Sequence, residues 1–583
     1  MTGHIIVCLV LALVGVRAGH AHARSDPCKV RMCTTTGPVC GLLRQAEDDV
    51  AYASFRGVPY AKAPTKEGRF KELEPLDTWD TVFATTEGPI CYQTDVLYGR
   101  MMQPHGMSEN CLYANIHVPI NALPKTDRCA PPAIELEPPR EAADESVEES
   151  RSRGLPILVF IHGGGFAFGS GDSDMHGPEY LVSKNVIVIT FNYRLNVFGF
   201  LSLNSTQVPG NTGLRDMITL LQWVQRNARS FGGDPDNVTL GGQSVGAISA
   251  HLLTLSKAAE GLFKRAILMS GTAISSLYSP SPLFAKFIKN LLLAVLDIKA
   301  TDPDEIYQQL IDLPAEKLVD ANKKLLDQFG LTTFVPTVET SFPGVTPILD
   351  DYPENLLARG RGKDIPLLIG YTDAECETFR KRLEEFDIVK KSITNKPIII
   401  PPKYLFTVPP NAIPDVAMKI NKRYYNGKVT LDGFVQSCTE SFFEYPFLKV
   451  VEEYEKINGP AVYAYKFSYR NDSSVLKTEG LKYDGAAHIE DMTYVFKTNS
   501  MVDIRKPDRN DSDSMKNFMT EFIVNFMSCS KPICDENDQL WSAANDKQFV
   551  YEDIHEPYKY QMMGLSARQQ QLAKFFDNLA VVE

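Results

Sequence analysis

NVTLGGQSVGAISAHLLTLS, residues 237–256, decides the fold. A strand-forming run, NVTLGG (237–242), leads into an apolar helical run, AISAHLLTLS (247–256), and between them stands the G-x-S-x-G pattern of Gly242, Gln243, Ser244, Val245 and Gly246. A serine on a sharp strand-to-helix turn has its hydroxyl lifted above the end of a sheet. Glycines flank it because strand and helix come too close there for a Cβ. The five-residue pattern alone is a weak signal; the strand before it and the helix after it make it a nucleophile elbow.

Outward from the elbow, apolar runs alternate with helical segments. ILVFIH (157–162), NVIVITFNY (185–193) and KRAILMSG (264–271) read as strands, and GLRDMITLLQWVQRNARSF (213–231) is periodic at helical spacing. Further strands are expected at IPLLIGYT (365–372) and AVYAYKFSY (461–469). This alternation predicts an α/β fold with a large central, mostly parallel sheet flanked by helices on both faces. The 583 residues could hold several domains, but large α/β enzymes fill that length with one, and we read 24–583 as a single domain.

A serine nucleophile needs a base, and in this architecture the chain order is Ser, then acid, then His. His488 and His555 lie far enough beyond Ser244 to leave room for the acid. His555, in the polar YEDIHEPY, reads as a surface residue; His488 follows Gly485, Ala486 and Ala487, small residues that leave the imidazole space to reach the serine. The loop after IPLLIG offers Asp373, Glu375 and Glu377. Spacing does not separate them; the chemistry asks for the one buried against the imidazole. His162 to Phe166 (HGGGF) follows the strand ILVFI, where a glycine run lets backbone N–H groups point into a site and receive an oxyanion.

The rest of the chain bounds partners and compartment. Sixty Lys and Arg stand against 72 Asp and Glu, a formal charge of −12 with no basic cluster, which argues against a nucleic-acid binder. Ile5 to Val16 is a 12-residue apolar run, too short to span a bilayer and suited to a signal peptide over residues 1–23, cleaved after Ala18 or Ala23. No later run is long enough to span, and the end, FFDNLAVVE, lacks a lipid-anchor tail, so a secreted, extracellular protein is expected.

Eleven cysteines, with Cys8 in the leader, leave ten for an oxidising compartment to pair. Cys91 with Cys111 is the first candidate pair and Cys529 with Cys534 the next. Cys28, Cys33 and Cys40 allow several pairings, and Cys129, Cys376 and Cys438 are unassigned. Asn204, Asn237, Asn471 and Asn510 begin glycosylation sequons, Asn237 least suited because it leads into a strand. The Pro-rich acidic stretch at about 126–154 reads as a solvated insertion loop.

On these residues the chain resembles a type-B carboxylesterase of the cholinesterase-like α/β-hydrolase family. The likeness runs from Phe55 to the C-terminal region through FRGVPYAKAP, SENCLYANIHVP, HGGGF, NYRLNVFGF, GNTGLRDM, FGGDPDNVTLGGQSVGA, DAECE and GAAHIEDMTYVF. Within the family the likeness is to insect juvenile hormone esterases and related antennal and integument esterases. The resemblance implies Glu375 as the acid beside Ser244 and His488, the N–H groups of Gly164, Gly165 and Val245 as an oxyanion hole, a Cys91–Cys111 disulfide, and no metal or cofactor.

There are departures. Val245 stands where the family usually has Ala, and a β-branched side chain there is expected to narrow the pocket. The family's second disulfide, after the elbow helix, has no cysteines here. No Trp lies between Cys91 and Cys111 to stack on a quaternary ammonium, which argues against acetylcholine. The expected partner is a small hydrophobic ester: a juvenile-hormone-type methyl ester first, an odorant or pheromone acetate or a xenobiotic ester as the alternative. A catalytically inactive binding protein of this family is disfavoured because Ser244, Glu375 and His488 are all present. Activity should fall below about pH 6.5, where an ordinary imidazole is protonated and cannot act as base.

Overall fold

The computed structural model describes residues 28–95, 97, 105–124, 154–330, 332–471, 482–499, 511–535, 540–545 and 549–579. The expected signal segment, Cys129, Asn510 and all but the last residue of the acidic insertion lie outside them.

A 13-stranded sheet organises the molecule. Seven neighbouring strands run parallel, in the order Ile187–Phe191, Leu155–Ile161, Gly233–Gln243, Arg265–Met269, Leu367–Thr372, Val462–Phe467 and Val550–Ile554. Antiparallel strands flank this centre: Tyr113–Pro119, Ala51–Pro59, Gly37–Gln45 and Val30–Thr34 on one side, Met562–Gly564 on the other. The expected parallel sheet is therefore its centre, and its edges are mixed.

Alternation along each central strand divides the core between the two faces. Val159, Ile161, Leu240, Leu367 and Ile369 pack on one side with Trp223 of the helix Thr212–Asn227 and with the elbow helix Val245–Leu255. Leu158, Phe160, Met269, Leu368 and Tyr465 pack on the other with Phe518 and Phe522 of the helix Asp511–Cys529. Parallel strands all end on the same edge, so the turns after Ile161, Gln243 and Thr372 converge there.

Among the described residues four disulfides pair Cys28 with Cys40, Cys91 with Cys111, Cys376 with Cys438 and Cys529 with Cys534. Asn204 is exposed, whereas the Asn237 side-chain oxygen Oδ1 accepts a hydrogen bond from Arg265 (2.5 Å).

Candidate active site

Ser244 sits at the turn from Gly233–Gln243 into the elbow helix with φ 60° and ψ −127°, a conformation that L-residues avoid and that neighbours must enforce. Its N–H donates to the Met269 carbonyl at 2.8 Å, which fixes the turn against the next strand. A Cβ on Gly246 would lie 2.1 Å from the Ile161 carbonyl oxygen, so the elbow helix can approach the sheet only with glycine there. Val245 is fully buried in the core of the helix face and contributes no wall to the cleft. The expected narrowing of the pocket by its β-branched side chain does not occur, because the side chain of the residue after the elbow serine turns into the protein while its N–H stays at the helix N-terminus.

The glycine run curls over the serine. Gly164 has φ 111° and Gly165 φ 64°, and a Cβ on Gly164 would meet the Phe168 carbonyl oxygen at 2.0 Å. The N–H groups of Gly164 and Gly165 donate to no acceptor among the described residues. His162 anchors this loop: its ring stacks on Tyr193 with centroids 4.3 Å apart, and the Tyr193 hydroxyl donates to the His162 carbonyl. Burial pushes His162 down to about 3, so it is neutral and structural. Gln93, in the loop closed by Cys91–Cys111, bonds the Gly169 N–H and carbonyl and ties that loop to the same wall.

Among the three carboxylates after Leu367–Thr372, only Glu375 meets the imidazole. It is fully buried; its Oε2 accepts from His488 Nδ1 at 2.5 Å and its Oε1 from the Thr372 N–H at 2.8 Å. Asp373 accepts from the Ala486 N–H and pairs with Arg470, and Glu377 pairs with Arg380. The His488 carbonyl accepts from the Thr378 hydroxyl, and its ring lies between Phe379 and Phe443. With Nδ1 donating to the carboxylate, Nε2 carries the lone pair, and it lies 3.1 Å from the Gln243 side-chain nitrogen. Ser244 and His488 line one cleft without a hydrogen bond between their side chains; among the described residues it is the Gln243 side-chain nitrogen that meets His488 Nε2.

Sequence reasoning missed several supports of this arrangement. Cys376, adjacent to Glu375, is bonded to Cys438 at the end of the helix Leu431–Cys438, which pins the acid's turn. Asp491 is fully buried and accepts from the Tyr465 hydroxyl at 2.9 Å and the Met492 N–H at 2.8 Å. Burial, then the charge of Glu375, raises the Asp491 carboxyl to about 6. Tyr465 reaches it across Gly370, where a Cβ would lie 2.0 Å from the ring. Nothing local marks these residues; Asp491 is one of two adjacent acids after His488.

The cleft, about 60 Å³, is bounded by Ser244, His488, Gly164, Gly165, Leu277 and Thr332. Leu277 and Thr332 also bound a second cavity of about 330 Å³, walled by Phe284, Phe386, Phe406 and Phe442. No Lys, Arg, Asp or Glu lines either cavity. Among the described residues no cluster of His, Cys, Asp or Glu is arranged to hold a metal, and no helix is long and apolar enough to cross a membrane.

Known proteins resemble this chain over most of its length. The Carboxylesterase family profile matches residues 29–573. Juvenile hormone esterase of Heliothis virescens is 55% identical over 548 residues, 93% of each chain, and venom carboxylesterase-6 of Apis mellifera is 30% identical over 545 residues, 89% of each. The crystal structure of juvenile hormone esterase from Manduca sexta, with OTFP covalently attached, superposes with a TM-score of 0.87 at 52% identity, covering 94% of this chain and 99% of that one. With the family profile spanning nearly the whole sequence over an α/β-hydrolase sheet, this chain belongs to the carboxylesterase family and is a carboxylic ester hydrolase.

Proposed function

We propose that the chain is a secreted serine esterase that hydrolyses a juvenile-hormone-type methyl ester through Ser244, His488 and Glu375. The observation that carries the mechanism is the buried Glu375–His488 pair facing the same cleft as Ser244 and the free N–H groups of Gly164 and Gly165. Once the Gln243 amide yields Nε2, His488 takes the hydroxyl proton as Ser244 Oγ attacks the ester carbonyl. The carbonyl π electrons move to oxygen, and the N–H groups of Gly164, Gly165 and Val245 receive that oxyanion. Collapse expels the alcohol, which takes the proton from His488 and leaves an acyl-enzyme. Water, deprotonated by His488, attacks the acyl carbon and releases the acid. Glu375 keeps Nδ1 protonated and balances the imidazolium formed at each stage.

The second cavity supports a substrate with a long apolar portion, since Phe284, Phe386, Phe406 and Phe442 offer it apolar contact and no charge. The methyl-ester preference takes its support from the two juvenile hormone esterases that the chain resembles at 52% and 55% identity. Four disulfides support an oxidising compartment, and with it secretion.

The first test is hydrolysis of a short chromogenic ester by the wild type and Ser244→Ala at equal folded concentration. Activity that vanishes in the variant supports the serine mechanism; equal activity overturns it. Side-by-side turnover of a juvenile-hormone-type methyl ester and a long-chain alkyl acetate then separates the two substrate classes, and faster acetate turnover would move the assignment to odorant esters.

A further inference from the structure

A surface trough lies on the outer side of the second cavity, between the helices Ile388–Thr394 and Ile413–Tyr424, with a volume of about 1130 Å³. Its lining is largely apolar. Val389, Ile413 and Val429 are half-buried, while Ile393 and Met418 stand 74% and 63% exposed. Lys396, Lys422 and Lys428 line the same trough, all exposed, and no Asp or Glu does. Among the described residues none of these three lysines has an ion-pair partner, whereas the neighbouring Lys390 and Lys419 pair with Asp387 and Asp415. In a chain of formal charge −12, this is a local reversal of sign laid over exposed apolar surface.

We propose that the trough binds a long-chain carboxylate anion, with its hydrocarbon on Ile393 and Met418 and its carboxylate among Lys396, Lys422 and Lys428. Two complementary terms meet in such a ligand. Its chain removes exposed apolar side chains from water, and its head group supplies the charge that three unpaired ammonium groups lack. A neutral amphiphile satisfies the first term alone, and a small hydrophilic anion only the second. The trough and the second cavity also meet at Pro397, which lines both. The ligand class follows from the lining alone; its source, the acid released from a long ester, rests on the esterase reading above.

Titration calorimetry with laurate, on the wild type and on K396Q/K422Q/K428Q, tests the site. The wild type should bind laurate, the triple variant about tenfold more weakly or worse, and added salt should erode the wild-type affinity toward that of the variant. Met418→Asp, which puts a negative charge under the chain, should weaken binding independently. Both variants alter exposed side chains remote from Ser244, so hydrolysis of a short chromogenic ester, measured in parallel, should be unchanged. Equal laurate affinity in the wild type and the triple variant would place the ligand elsewhere, in the second cavity, and overturn the proposal. Lysine-dependent co-sedimentation with phosphatidylserine vesicles without laurate binding would assign the surface to lipid headgroups and overturn it as well. A protein that binds laurate through these lysines but hydrolyses no ester would sink the esterase reading and leave the trough standing.

Discussion

Around Ser244 the protein is held by the shape of its backbone, and around His488 by paired polar atoms. The nucleophile side is built from turns after neighbouring parallel strands, where Gly164 and Gly246 have no room for a methyl group and Ser244 is kept at φ 60°. The acid–base side is built from residues 113 apart in sequence: Glu375 accepts from His488 and Thr372, Thr378 holds the His488 carbonyl, and a disulfide pins the next residue. One side should therefore fail when an atom is added, the other when a polar atom is removed.

The largest expected effect is on the polar side. Glu375→Gln keeps the shape but can no longer hold Nδ1 protonated as a charged acceptor, and kcat should fall about a thousandfold or more with the melting temperature nearly unchanged. A variant within tenfold of the wild type would remove Glu375 from the mechanism. On the backbone side, Gly164→Ala forces a Cβ toward the Phe168 carbonyl at a positive φ and displaces an oxyanion donor. Its kcat should drop about a hundredfold, with a smaller change in KM. If this variant turned over normally, the backbone description of the nucleophile side would be wrong.

Removing the support behind Glu375 sharpens the comparison. Cys376→Ser with Cys438→Ser opens a 62-residue loop and should cost about 4 kcal/mol in unfolding experiments by chain entropy, while kcat falls by about tenfold or less. A thousandfold loss instead would mean that the disulfide, rather than the hydrogen bonds, positions the acid.

The smallest effect is on stability. The Asp491 carboxyl is raised to about 6, so the native state keeps a proton that the unfolded chain has already released. Wild-type stability carried by that proton is present below about pH 4 and is lost as pH rises through about 6, which amounts to at most about 3 kcal/mol. Asp491→Asn does not titrate and should gain on the wild type across that window, as denaturant melts at pH 4 and pH 8 would show. A difference that stays constant with pH would mean that Asp491 does not change its protonation on folding.

Much of this molecule was legible in its residues. The elbow, the glycine run, the alternation of strands and helices, and the order of Ser244, an acid and His488 could be read directly, because turns and periodicity are enforced by neighbours a few positions away. Asp373, Glu375 and Glu377 were indistinguishable in sequence, since burial and hydrogen-bond partners come from other segments. The effect of Val245 was misread for the same reason: a side chain's direction at the elbow is set by the helix packed behind it.

By itself, then, the sequence determined where a strained turn must expose a serine and where glycine must leave backbone N–H groups free, both properties of local chain geometry. Only the tertiary structure decided that Glu375 rather than its neighbours meets His488, that Cys376 pairs with Cys438, that Tyr465 reaches Asp491, and that Leu277 and Thr332 open onto a second apolar cavity. Each of these joins residues far apart in the chain, and a pairing of that kind exists only once the sheet has brought its strand ends to one edge.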